Sequence, residues 1–147
     1  MDSIISSETF VIQDCIKYYG TSYSQSSIVN LDLPSEYKIE FTLFSNSSVQ
    51  TSGGRSNVCF LRFDSSSGGY VGKGSSISRN TGISATFLPN SVPVSVDTEY
   101  TFSKENGVVY LSDGTDTINL TSSAFTKLYE IRGSTDGQIK NVKVKPL

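Results

Sequence analysis

Histidine and tryptophan are absent from the 147 residues, and cysteine occurs only twice. Without histidine the chain lacks the commonest general base, the serine–histidine nucleophile pair and the usual zinc or copper ligand. Cys15 and Cys59 form no Cys-x-x-Cys pair, and a hydrophobic run surrounds Cys59. The two could form one disulfide, but both are expected to be buried, reduced thiols. Alanine is nearly missing, with Ala85 and Ala124 alone. Since alanine is the best helix former, the chain has room for little more than a turn or two of helix, such as one over Ser122–Ala124. No apolar run approaches the roughly 18 residues of a membrane-spanning helix, so no membrane insertion is expected. The start, Met1-Asp2-Ser3-Ile4-Ile5, lacks the positive segment and apolar core of a secretory signal.

Charge of one sign is not concentrated either. Twelve basic and 14 acidic residues give a net charge of −2. A nucleic-acid partner, which needs a basic face, is therefore not expected. Lys140, Lys143 and Lys145 are the exception, and on a terminal strand they read as protection of a sheet edge.

What is present points to strands. Valine and isoleucine number 23, and serine and threonine 40. β-Branched residues favour strands, while serine and threonine suit turns and solvated sheet faces. Tyr37–Phe44 alternates cleanly, with Ile39, Phe41 and Leu43 on one face and Lys38, Glu40 and Thr42 on the other. Val58–Asp64 sends Cys59, Leu61 and Phe63 inward and Phe60, Arg62 and Asp64 outward. Asn106-Gly107 lies between Glu99–Lys104 and Val108–Leu111, and Asn-Gly is a strong hairpin signal because a type I′ turn needs positive φ at both central residues. That turn places Phe102 opposite Leu111 and Ser103 opposite Tyr110. Further strands are expected at Phe10–Cys15, Ile28–Leu33, Tyr70–Lys73, Ile77–Arg79, Gly82–Leu88, Thr117–Leu120, Lys127–Arg132 and Ile139–Val144, with Thr21–Ser27 a polar loop. In Lys127–Arg132, strict alternation puts Leu128 and Glu130 on one side and Tyr129 and Ile131 on the other. The core is expected to hold Ile39, Phe41, Leu43, Leu61, Phe63, Ile83, Phe87, Phe102 and Leu111. Ten to twelve short strands at this turn spacing describe one antiparallel β-sandwich over residues 1–147, with residues 1–9 a flexible N-terminal segment.

The closing segment Gly137-Gln138-Ile139-Lys140-Asn141-Val142-Lys143-Val144 resembles the last strand of the concanavalin A-like lectin and glucanase jelly rolls. Tyr37–Leu43 is similar to an early half-buried strand of those domains, and Val58–Tyr70 to their central strand, glycine loop and strand. The likeness runs over residues 10–147 and implies a two-sheet jelly roll. The glucanases of that superfamily carry a Glu-x-Asp-x-x-Glu strand, which this sequence lacks, and the calcium motifs of legume lectins are not recognisable. The resemblance therefore implies carbohydrate binding without hydrolysis, not an enzyme, and no cofactor or metal. Its Ser-, Thr- and Asn-rich faces also look like modules of phage tails and cell-surface adhesins. The expected setting is then a virion or cell surface, within a larger assembly, with a glycan or surface polysaccharide as partner.

Sugar recognition needs flat aromatic faces with polar tips, beside planar hydrogen-bonding groups. Tyr18 and Tyr19 beside Gly20, Tyr70 after Gly68-Gly69, and the polar Arg62, Arg79 and Asn80 are the candidate ligand-binding residues. The bland alternative packs one of the two tyrosines in the core and pairs Arg62 with Glu40 across the sheet. Two other functions stay open: a structural interaction or adhesion module without glycan binding, and a glycoside hydrolase. The latter would need a close carboxylate pair, for which Asp14, Glu40 and Asp64 are the candidates if they share a face. Asp113, Asp116 and Asp136 are explained by local turn hydrogen bonds. The sequons at Asn46 and Asn119 are expected by chance in so Ser/Thr-rich a chain.

Overall fold

The computed structural model describes residues 10–11, 24–45, 59–73, 91–92, 98–134 and 137–147. These contain eleven strands and no helix. Four strands form one antiparallel sheet in the order β5 (Tyr70–Lys73), β4 (Cys59–Phe63), β10 (Lys127–Ser134) and β2 (Ser24–Asp32). The two-residue β6 (Ser91–Val92) lies parallel to β5. Five strands form the second antiparallel sheet: β11 (Gly137–Pro146), β3 (Tyr37–Ser45), β7 (Thr98–Glu105), β8 (Val108–Ser112) and β9 (Thr117–Thr121). The two-residue β1 (Phe10–Val11) runs along β11. Among the described residues the strand ladders of the two sheets meet at Ser134 and Gly137, where β10 passes into β11. Neither sheet closes on itself, and the fold is an all-β sandwich.

Alternation builds the core as expected. Ile39, Phe41 and Leu43 face Leu61 and Phe63 of the other sheet, and all five are buried with Phe102 and Leu111 in one cluster. The expected core residues Ile83 and Phe87 lie outside the described residues, as do the strands expected at 77–79 and 82–88, most of the one at 10–15, and Cys15. Cys59 is buried in the core. An aromatic knot joins the sheets. Phe63 on β4 and Phe102 on β7 have ring centroids 5.0 Å apart, and Phe125, from the β9–β10 connection, sits 5.2 Å and 5.3 Å from them.

The connection that delivers Phe125 is pinned from three sides. The Tyr37 hydroxyl donates to the Phe125 carbonyl at 2.6 Å. The buried Lys104 ammonium donates to the Ala124 carbonyl at 2.7 Å. The Asp64 carboxylate accepts from the backbone N–H groups of Phe125 and Thr126, both at 2.9 Å. Desolvation of Tyr37, with the Asp64 charge adding to it, pushes the phenol pKa well above its ordinary value. A phenol held neutral in this way keeps its proton for the Phe125 carbonyl. No helical turn forms over Ser122–Ala124; the Ser122 hydroxyl instead accepts from the Ala124 N–H at 3.0 Å, a local turn that competes with helix.

Two bulges correct the strict alternation of the last strands. From Phe63 to Arg62 on β4 is one residue, yet the paired step on β10 runs from Leu128 to Glu130, and on β2 from Leu31 to Ile28. Each strand outward carries one residue more than its neighbour. As a result Leu128 and Ile131 both face the core, and Glu130 turns to the outer face. The expected grouping of Leu128 with Glu130 is thereby overturned. On β11 the step from Lys140 to Lys143 matches Thr42 to Glu40. The extra residue brings Ile139 and Val142 inward together, and Lys140 and Lys143 outward. Asn30 and Asn141 mark the bulged strands with φ of 52° and 57°, a region asparagine tolerates better than most residues. β2 also begins at Ser24, inside the expected polar loop, because its pairing with β10 from Ser24 to Asp32 uses backbone groups alone.

The Asn106-Gly107 hairpin forms with the expected register, Phe102 opposite Leu111 and Ser103 opposite Tyr110. Both turn residues have positive φ, 52° and 75°. A Cβ at Gly107 would meet no atom within 4 Å, so any cost of substitution there is conformational. Gly107→Val is expected to lower stability by about 1 kcal/mol or more, because a β-branched residue resists that φ. An unchanged denaturation midpoint would count against the assignment.

Candidate functional site

The outer face of the four-stranded sheet brings together two of the residues expected at a ligand site. Cross-strand pairing sets Arg62 between Tyr70 and Glu130, and Phe60 beside Arg132. The Phe60 and Tyr70 rings are 4.6 Å apart, and the Arg62 guanidinium lies 5.0 Å from each ring centre. Its Nε donates to Glu130 at 3.2 Å and its Nη1 to the Gly68 carbonyl at 2.8 Å. Arg132 donates to the other oxygen of Glu130 at 2.9 Å. Phe60 and Glu130 are buried. The Nε and Nη1 groups of Arg62 are thus engaged within the protein, and its carboxylate partner is Glu130 rather than Glu40. Gly68 is required here for a close approach, since a Cβ would run into the Phe63 carbonyl. Tyr18, Tyr19, Arg79 and Asn80 lie outside the described residues.

The outer face of the five-stranded sheet is different. An open cleft of about 650 Å³ crosses it. Asn141 and Lys143 of β11 line one end, Glu40 and Thr42 of β3 and Glu99 and Thr101 of β7 the floor, and the Ser112–Gly114 turn the other end. Register explains the rows: Lys143, Glu40, Thr101 and Ser112 stand side by side, as do Lys140, Thr42 and Glu99. The cleft crosses four strands, a span of about 14 Å at a strand spacing near 4.8 Å. Phe44 continues the outward row beyond Thr42. It is 46 % exposed, with the Lys140 ammonium 4.2 Å from its ring centre.

Two carboxylates of this cleft, Glu40 and Asp113, are shifted toward the ionised form. A hydrogen bond from Lys145 at 2.9 Å, with the charges of Lys145, Lys38 and Lys143, draws the Glu40 carboxyl below its ordinary range against a smaller desolvation effect. At Asp113, backbone N–H groups of Asp116 and Thr115, at 2.8 Å and 2.9 Å, do the same. This is the local turn bonding expected of Asp113. Glu40 and Asp64 do not share a face: Glu40 points outward from β3, and Asp64 follows β4 in the other sheet and caps the 125–127 backbone. Asp14 lies outside the described residues. Among the described residues no group of three or more His, Cys, Asp and Glu is placed to hold a metal ion.

Tyrosine and arginine beside glycine loops do not mark this cleft; of its lining residues, Glu40 was expected only as a carboxylate candidate and Asp113 only as a turn residue. The outward row Lys38, Glu40, Thr42 and Phe44 was the available signal, because an aromatic ending a polar outward row has no place in the core. No protein-family model matches the chain, and no curated protein matches it.

Proposed function

We propose that this domain is a non-catalytic carbohydrate-binding, lectin-like module of a virion tail or cell-surface protein, and that the cleft on the five-stranded sheet is its ligand site. The reading rests on one observation: an open cleft crossing four strands, lined by hydroxyl, amide, carboxylate and ammonium groups, with exposed Phe44 on the same face. Such a lining exchanges hydrogen bonds with sugar hydroxyls, and an exposed ring offers a stacking surface. Affinity is weak, because each hydroxyl exchanges water for protein partners at little net gain in a wet cleft. A general acid of a glycosidase needs its pKa raised, and Glu40 and Asp113 are both shifted down, so neither suits that role.

A broad glycan array tests this, with wild type beside Glu99→Ala and Phe44→Ala after both variants are shown to fold. Wild type is expected to bind at least one glycan, and each variant to bind it about tenfold more weakly, equivalent to about 1.4 kcal/mol. Binding that both variants retain in full moves the site elsewhere, with the Arg62 and Tyr70 face next in line. No binding at all favours a structural interaction module, and release of shortened oligosaccharides makes the domain a hydrolase.

A further inference from the structure

The face that carries the cleft is polarised in charge. Lys38 lies on β3, and Lys140, Lys143 and Lys145 lie on β11; all four belong to the outward rows, with Glu40 the one acid among them. On β7, β8 and β9 the outward positions carry no basic residue. Lys104 is the sole lysine of those strands, and it points inward to the Ala124 carbonyl. The acids of that half are Glu99 and Glu105 on β7 and Asp113 and Asp116 in the β8–β9 turn. Glu40 is shared among lysines, with Lys145 at 2.9 Å and Lys38 at 3.7 Å. That leaves the β11 side with surplus positive charge. Glu99 and Asp113 form no ion pair among the described residues, so the opposite side keeps surplus negative charge. The two sides of the cleft are two to three strand spacings apart, about 10–14 Å.

Resting on the carbohydrate-binding reading, we infer that the cleft selects an amphoteric glycan, one carrying acidic groups and free amines on separate sugar units. The acidic group lies toward Lys143 and Lys140, and the ammonium toward Glu99 and Asp113. A neutral chain leaves both sets of charges uncompensated by ligand. A purely acidic chain meets Glu99 and Asp113, and a purely cationic one meets the lysines, so each single-charge class is repelled at one end. The backbone hydrogen bonds that keep Asp113 ionised hold that end negative in mild acid as well.

Four sets of defined oligosaccharides separate the possibilities by calorimetric titration: neutral hexose, glucosamine, hexuronic acid, and alternating glucosamine and hexuronic acid. The alternating oligomer is expected to bind about tenfold tighter than the other three at low salt, and to lose most of that margin near 0.5 M salt, where screening is strong. Lys143→Gln and Glu99→Gln should each erase the margin while leaving the thermal midpoint in place. Equal binding of the neutral oligomer overturns the charge pairing and leaves the glycan reading standing. Failure to bind any of the four sets, or any glycan on the broad array, brings down both. A salt-sensitive dimer weakened by the same two substitutions would make the polarised face a contact between two copies and overturn the glycan proposal.

Discussion

Phe102→Ala is expected to destabilise the domain by about 4 kcal/mol, the cost of removing a fully buried aromatic from a close-packed core. The ring is 0 % exposed and lies within 6.4 Å, centre to centre, of Tyr37, Phe63 and Phe125. Of the four rings Tyr37, Phe63, Phe102 and Phe125, it is the one in contact with all three others. Phe63 comes from the opposite sheet, and Phe125 from a connection held by hydrogen bonds to Tyr37, Lys104 and Asp64. A cavity at Phe102 therefore loosens the contact between sheets and removes support from that connection. The connection cannot collapse into the hole without breaking the bonds that pin it, so little relaxation is available to lower the cost. Natural domains are stable by only about 5–15 kcal/mol, and the loss takes a large share of that. Urea denaturation followed by circular dichroism measures it, and a fall below about 1.5 kcal/mol would show that the sheets are held mainly by other contacts. Phe102→Leu, which keeps most of the volume, is expected to lose much less.

The features readable from sequence were those set by local chemistry. Period-2 spacing fixed the inward faces of β3 and β4, and Asn106-Gly107 fixed a hairpin with its register. Alternation failed where a strand gains a residue. Nothing local in Leu128-Tyr129-Glu130-Ile131 announces a bulge, because the bulge arises from pairing with β4 on one side and β2 on the other. Asn141 in β11 was a better clue, since asparagine is one of the few residues that accept positive φ. The candidate cleft was legible only in part. Outward positions of β3 could be named, but which of them meet Asp113 depends on β3, β7 and β8 lying side by side, a long-range fact. For the same reason Arg62 could be given a carboxylate partner from sequence, but not the right one.

That partner gives the second large effect. Glu130→Ala is expected to cost about 3 kcal/mol, because removing one member of a buried ion cluster leaves the others charged and unpaired. Glu130 is 4 % exposed and bonds both Arg62 and Arg132, one with each oxygen. Without it, Arg62 Nε stays fixed between the Phe60 and Tyr70 rings with no acceptor, held by its second bond to the Gly68 carbonyl. Arg132 already has its Nε buried without a partner. It would lose the bond that offsets that cost. Glu130→Gln keeps the shape and one carbonyl acceptor, so it is expected to lose less than the alanine variant. Replacing Arg62 and Glu130 together by methionine should recover much of the loss, since a well-packed apolar pair needs no ionic compensation. Chemical denaturation of the three variants decides the matter. If the double replacement is as unstable as Glu130→Ala, packing at this position rather than the unpaired charge carries the effect. If Glu130→Ala changes stability by less than about 0.5 kcal/mol, solvent reaches the cluster freely and the pair behaves as a surface ion pair.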